Sequence, residues 1–195
     1  MLFVHIPKTG GSSVEKWMSG SGDLCFHTSG IPSCCKCTPQ HFTLRAIKTL
    51  LPGMHFDYAF TIVRNPYERL ESEYRQQWLL RKGGFFKGFP SFSSWIEPSL
   101  ERAAANPLAA DSHLRPQVDF IGSGLNVFRF EEGISAVITQ VAAAIGSSAP
   151  LEQIHELRTG GDAPPIEWRL EDLILANRFY SQDFSQFGYE MRPTQ

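Results

Sequence analysis

Two short stretches of this 195-residue chain concentrate side chains that hold anions. In HIPKTGGSSV, residues 5–14, Lys8, Thr9, Gly10, Gly11, Ser12 and Ser13 follow one another without a break. Glycines let the backbone approach a ligand closely, three hydroxyls can donate, and Lys8 adds a mobile positive charge. If the stretch joins a strand end to a helix start, the backbone N–H groups and the positive end of the helix dipole converge on one point, and that point takes an anion. The second stretch begins at Arg64, just ahead of Asn65 and Pro66. A guanidinium in front of a capped helix can offer two parallel N–H bonds to a phosphate. Ser72 shares a helical face with Arg69 and Gln76, away from the stripe of Leu70 and Tyr74, so it can meet a ligand without disturbing packing. An internal salt bridge is the expectation for Arg69, and solvated carboxylates or local ion pairs for Glu68 and Glu71.

The order of residues narrows the chemistry. A nucleotide loop of the form G-x-x-x-x-G-K-[ST] puts lysine after the glycines and a hydroxyl on magnesium, whereas here Lys8 comes first. The apolar runs Tyr58 to Val63 and Val127 to Phe130 exit into Arg64 and Glu131, so neither supplies the aspartate that would complete a magnesium site. The loop therefore predicts an anionic ligand held by local donors, with no carboxylate set for magnesium evident. An ATP- and magnesium-dependent phosphotransferase, and a catalytically silent nucleotide-binding protein, stand as alternatives. Of six histidines, His5 falls at the end of a strand-like run and reads as structural, while His27, His55 and His155 carry no signal. Histidine is nevertheless the natural general base, because its ordinary pKa lies near neutrality. Cys25, Cys34, Cys35 and Cys37 lack the paired C-x₂-C spacing of a zinc ribbon, and reduced thiols in a loop are the expectation.

The elements that must position these residues can be read from periodicity. LFVHI (residues 2–6) is a strand entering the glycine loop, Ser12 or Ser13 caps a helix over Val14 to Met18, and Tyr58 to Val63 is a second strand. Asn65 caps the next helix with Pro66 at its first position, and Tyr67, Leu70, Tyr74 and Trp78 recur at helical spacing. A helix with Leu44, Ile47 and Leu51 follows His41. The run Val127 to Phe130 precedes a helix carrying Ile134, Val137, Ile138, Val141 and Ile145, closed by Gly146. A last helix runs from Pro165 to Tyr180 with Ile166, Leu170, Leu173, Ile174 and Asn177 on one side. Strands alternating with helices predict an α/β fold with a parallel sheet, whose ligands bind beyond the carboxyl ends of the strands. Residues 83–112 break the rhythm; they read either as a lid or acceptor-side insertion, with a helix over Ser91 to Ala105, or as a surface insertion whose phenylalanines pack on the core.

Length and a 42% hydrophobic content predict a single domain over residues 1–195. A formal net charge of −2 gives no broad basic field and argues against nucleic acid as a partner. No apolar run nears the roughly 18 residues of a membrane span, and the first strand starts directly after Met1, so a cytoplasmic chain is expected. A place in the Golgi lumen would require an anchor ahead of Met1.

With loops and elements in view, HIPKTGGSS resembles the 5′-phosphosulfate loop of carbohydrate sulfotransferases related to heparan sulfate 2-O-sulfotransferase and the chondroitin enzymes. FTIVRNPYERLESEY resembles their 3′-phosphate motif, and SHLRPQVDFIG, NVFRFEE and FYSQDFSQFGY are similar to later stretches of the same families. The resemblance implies a P-loop-like three-layer sandwich with its parallel sheet flanked by helices. It implies 3′-phosphoadenosine 5′-phosphosulfate (PAPS) as co-substrate, no metal, and a sugar or other hydroxyl-bearing acceptor. It places Arg64 and Ser72 on the 3′-phosphate. His41 stands ahead of Arg64 at a distance similar to that of the histidine that acts as base in the 2-O-sulfotransferase branch, which has a paired H-G-H where this chain has His41 alone. The resemblance implies His41 as general base, with a structural cap, an acceptor contact, or His113 as the base instead, as the alternatives. His113 and Arg115, in the H-x-R-P-Q segment, are candidates for gripping the acceptor. Sulfuryl transfer, like phosphoryl transfer, needs an in-line acceptor and help for the leaving oxygen, and Lys8 is the residue expected to give that help.

Overall fold

The computed structural model describes residues 1–20, 22–28, 30–82, 88–147 and 165–194. The chain divides into two compact units, Met1–Arg64 with Asp119–Leu157, and Asn65–Val118 with Arg158–Gln195. The first unit is built on a three-stranded parallel sheet in the order β1 (Leu2–Val4), β2 (Ala59–Val63), β3 (Asn126–Arg129). Val4 lies beside Thr61, and Thr61 beside Val127. A central parallel strand is buried on both faces and reads as an unbroken apolar run; Phe60, Thr61, Ile62 and Val63 are all buried. Thr61 satisfies its hydroxyl there by donating to the Val4 carbonyl at 2.7 Å.

Helices α1 (Gly11–Ser19) and α5 (Ile134–Ala144) close over this sheet, bringing Val14, Trp17, Ile134, Val137, Ile138 and Val141 into one cluster with Phe60 and Ile62. Burying each such aliphatic side chain is worth about 1.5–3 kcal/mol, and the i, i+3, i+4, i+7 spacing of α5 is what permits it. Ile145, read as the end of that stripe, caps the helix, and Gly146 follows with φ 66°. Helix α2 (Leu44–Leu50) buries Leu44 and Ile47 and is capped by Thr43, whose side chain accepts the Ala46 N–H at 3.2 Å. Leu51 ends this helix rather than lying in it.

The second unit is helical. Asn65 caps α3 (Pro66–Lys82) as expected, its side-chain oxygen accepting the Tyr67 N–H at 3.0 Å. Tyr67, Leu70 and Tyr74 enter a core shared with Phe92, Trp95, Ile96 and Leu100 of α4 (Phe92–Ala105) and with Ala176, Tyr180 and Phe184 around α6 (Leu170–Phe179) and α7 (Ser181–Phe187). Trp78 is half-buried. Over the described part of residues 83–112 the phenylalanines pack: Phe92 is core and Phe89 lies against it, while residues 83–87 are outside the described residues, as is His155.

Helix α6, expected from Pro165 to Tyr180, starts five residues later than the sequence suggests and is followed by the separate helix α7. Asp172 accepts the Arg169 N–H at 3.0 Å and the Ser93 hydroxyl at 2.6 Å, which fixes the first turn at Leu170 and leaves Pro165 and Ile166 outside. Its buried side also differs, since Leu170 and Ile174 are each 48% exposed while Asp172 and Ala176 are buried. All four cysteines are free thiols. No helix among the described residues is long and apolar enough to cross a membrane. Because the Asn65 cap sets the first turn of α3, Asn65→Ala is expected to cost about 0.5–2 kcal/mol, read as a lower urea midpoint at unchanged slope.

Candidate active site

The loop that leaves β1 is shaped by two left-handed residues, Lys8 at φ 69° and Gly10 at φ 84°, with Thr9 between them. Alternation of this kind curls successive N–H groups towards one side and makes a concave seat for an anion. Gly10 is the N-cap of α1, so the helix opens at Gly11 without a side-chain cap, and neither Ser12 nor Ser13 plays the capping part their types suggest. Ser12 is exposed and Ser13 buried. Thr9 also differs from expectation: its hydroxyl turns inward and donates to the Ile6 carbonyl at 2.7 Å. What Thr9 can offer a ligand is its backbone N–H.

Both glycines are required by close approach. A Cβ on Gly10 would lie 2.5 Å from Ile134 Cδ1, and one on Gly11 would lie 2.0 Å from His5 Nε2. His5 is thus wedged beneath the start of α1. Its Nδ1 meets Glu15 Oε1 at 2.8 Å, and its ring stands edge-on to His41 with centroids 5.0 Å apart. His27 approaches the second oxygen of Glu15 at 3.6 Å. Burial pushes the Glu15 carboxyl up, but the hydrogen bond from His5 and the charges of His5, His27 and His41 together outweigh it, so Glu15 titrates below its ordinary value.

Arg64 arrives at the same loop from the end of β2. Its Nη1 reaches the Lys8 carbonyl at 3.4 Å, and its guanidinium lies over the Phe130 ring, 4.2 Å from the centroid. Lys8 and Arg64 are therefore brought together. His41 ends a 3₁₀ turn, Pro39–His41, and is 5% exposed. Thr38 Oγ1 is 3.0 Å from its Nδ1 and Gln40 Nε2 is 3.3 Å from its Nε2.

Ser72, His113 and Arg115 belong to the second unit. Ser72 is buried on α3, as is Arg69, which donates from Nη2 to the His113 carbonyl at 2.8 Å. Glu71 forms the local pair expected of it, with Arg75 at 3.0 Å, and also accepts the Trp168 indole N–H at 2.9 Å. His113 Nδ1 meets Glu73 Oε2 at 2.8 Å. Arg115 is half-buried, its N–H donating to the Ser112 carbonyl at 3.1 Å.

Residues 1–157 match the model of the Sulfotransferase family. The chain belongs to the sulfotransferase family. No curated protein and no solved structure matches it. The matched stretch includes the glycine loop, Arg64, Ser72 and the H-x-R-P-Q segment. Sulfuryl transfer to an acceptor substrate is accordingly the reaction class.

Sequence reading of this sulfotransferase missed Glu15, Gln40 and Glu73. Glu15 carried a usable signal, since a glutamate in the first turns of a helix that follows a glycine loop faces back towards that loop. Glu73 carried none, because its partner lies forty positions away. The wedge of His5 under Gly11 is directly testable. Gly11→Ala must displace the His5 ring, at a cost of about 1–3 kcal/mol. A carboxyl with a lowered folded pKa stabilises fully above its unfolded value and loses that stabilisation as pH falls through the folded one. Since the displaced His5 no longer holds Glu15 down, the loss in Gly11→Ala should be largest at neutral pH and shrink on acidification, measured by urea unfolding at several pH values.

Proposed function

We propose that this sulfotransferase takes its sulfuryl group from PAPS and delivers it to an acceptor hydroxyl of a carbohydrate, with the two units working as one sulfotransferase domain. The observation that carries the reading is the reach of Arg64 to the carbonyl of Lys8. It sets a guanidinium beside the glycine loop, which supports an anionic donor held by both. In this reading Lys8, Gly10, Gly11, Ser12, Ser13 and the Thr9 N–H hold the 5′-phosphosulfate, and Arg64 with Ser72 holds the 3′-phosphate.

The chemistry asks for charge stabilisation rather than a metal. A sulfuryl group carries less charge than a terminal phosphate, so an ammonium and a set of N–H donors suffice for the oxygen that leaves with the 5′-phosphate. Lys8 is the group for that oxygen. His41 is the general base of the reading, and for that the Gln40 amide, 3.3 Å from its Nε2, has to give way to the acceptor. A second reading gives the base to His113, and one observation favours it: the contact of its Nδ1 with the buried Glu73 carboxylate. Arg115 serves the acceptor side in either case.

The ATP-dependent alternative separates by affinity. Calorimetry should rank the 3′,5′-bisphosphate of adenosine well above AMP, and Arg64→Ala should remove about 1.5–3 kcal/mol of binding from the former and much less from the latter. Equal affinity for the two nucleotides would overturn the 3′-phosphate assignment.

A further inference from the structure

A chain of four side chains in the second unit has its polarity set from one end. The Trp95 indole N–H donates to Gln77 Oε1 at 3.0 Å. An indole nitrogen only donates, so the Gln77 amide has one orientation available to it. Gln77 Nε2–H then donates to Glu73 Oε1 at 2.7 Å, and Glu73 Oε2 faces His113 Nδ1 at 2.8 Å. The carboxylate accepts on both oxygens, which places the ring proton on Nδ1. In a neutral imidazole the lone pair is then on Nε2.

The backbone that carries His113 is held with equal care. Arg69 takes its carbonyl, the Tyr180 hydroxyl takes the Leu114 carbonyl at 2.8 Å, and Asp183 accepts the N–H groups of Gln117 and Val118 at 2.9 and 3.0 Å. Immediately before His113, Ala110, Asp111 and Ser112 have φ of 49°, 57° and 64°, and none is glycine. Consecutive left-handed residues are costly for L-amino acids, and they persist only where the surroundings over-determine them. The Ser112 hydroxyl is buried in that turn without a hydrogen-bond partner. A segment kept in so strained a path, and clamped from His113 onwards, is one whose side chain must be presented in a fixed direction.

We propose that Trp95, Gln77 and Glu73 are positioning residues that lock His113 in its Nδ1–H tautomer, so that Nε2 takes the proton of the acceptor hydroxyl. The last clause rests on the proposed sulfuryl transfer in its second reading, in which His113 rather than His41 is the base; the lock does not. In the step, the acceptor oxygen bonds to sulfur as its proton passes to Nε2. The bond from sulfur to the bridging oxygen breaks, and its electron pair leaves with the 5′-phosphate.

The test is nitrogen NMR of the histidine rings in the full chain, well above the ordinary histidine range, joined to steady-state kinetics with PAPS and a panel of sugars and phenols. The parent should show His113 protonated on Nδ1 alone. Glu73→Gln, and Trp95→Phe should the first variant fold poorly, should give a mixed or inverted tautomer and lower kcat by on the order of 10²-fold, with KM for PAPS little changed. A parent ring protonated on Nε2, or a tautomer that survives both substitutions, overturns the lock. Lost tautomer with undiminished kcat overturns the catalytic clause. A parent that shows the Nδ1–H ring yet transfers to no acceptor overturns the reaction and leaves the lock supported.

Discussion

Because β2 pairs in parallel with β1 on one side and β3 on the other, three chain segments leave the sheet from the same end: the loop from His5, Arg64, and the turn at Phe130. The consequence is chemical as well as architectural. Arg64 can lie over Phe130 and reach the Lys8 carbonyl only because the strands that precede them are in register. The Thr61 hydroxyl on Val4 ties the central strand to the residue just before the loop. Parallel pairing demands a crossover between strands; α1 lies in the connection from β1 to β2, α5 follows β3, and the two together cover the sheet, with Ile134 and Ile138 in the cluster.

Around that frame the loop is held by close fit. Gly10 and Gly11 leave no space for a Cβ, His5 fills the room beneath Gly11, and Glu15 holds His5 from the first turns of the helix the loop begins. A loop fixed in this way would be organised before a ligand arrives, which is what the proposed stabilisation of a leaving oxygen requires. The second unit treats His113 in the same manner, with a polar chain to orient the ring and clamps on its own carbonyl and that of Leu114.

Local signals were legible in the sequence and distant ones were not. The apolar runs of β1, β2 and β3, the stripe of α5 and the Asn65 cap depend on residues a few positions apart, and the structure has them where periodicity puts them. The start of α6 was misjudged because Asp172 recruits Ser93, far away in the chain, and so fixes the first turn. The α1 cap was misjudged because serine is the commoner cap, whereas here the need for a left-handed residue against Ile134 decides for Gly10. The turn at Ala110–Ser112 has no glycine to announce it, and the chain from Trp95 to His113 joins residues that no local window contains. Lys8, Arg64 and His41 stand out by type and spacing, while Phe130 over Arg64 and the Thr38 and Gln40 side chains at the His41 ring do not.

The account turns on Lys8 acting on the leaving oxygen rather than merely holding the nucleotide. Single-turnover transfer from labelled PAPS by Lys8→Ala, alongside calorimetry with the 3′,5′-bisphosphate, addresses it most directly. The account predicts a fall in the transfer rate of about 10²–10³-fold with little change in bisphosphate affinity. Transfer at the parental rate, or a loss of rate matched by an equal loss of nucleotide binding, would contradict it.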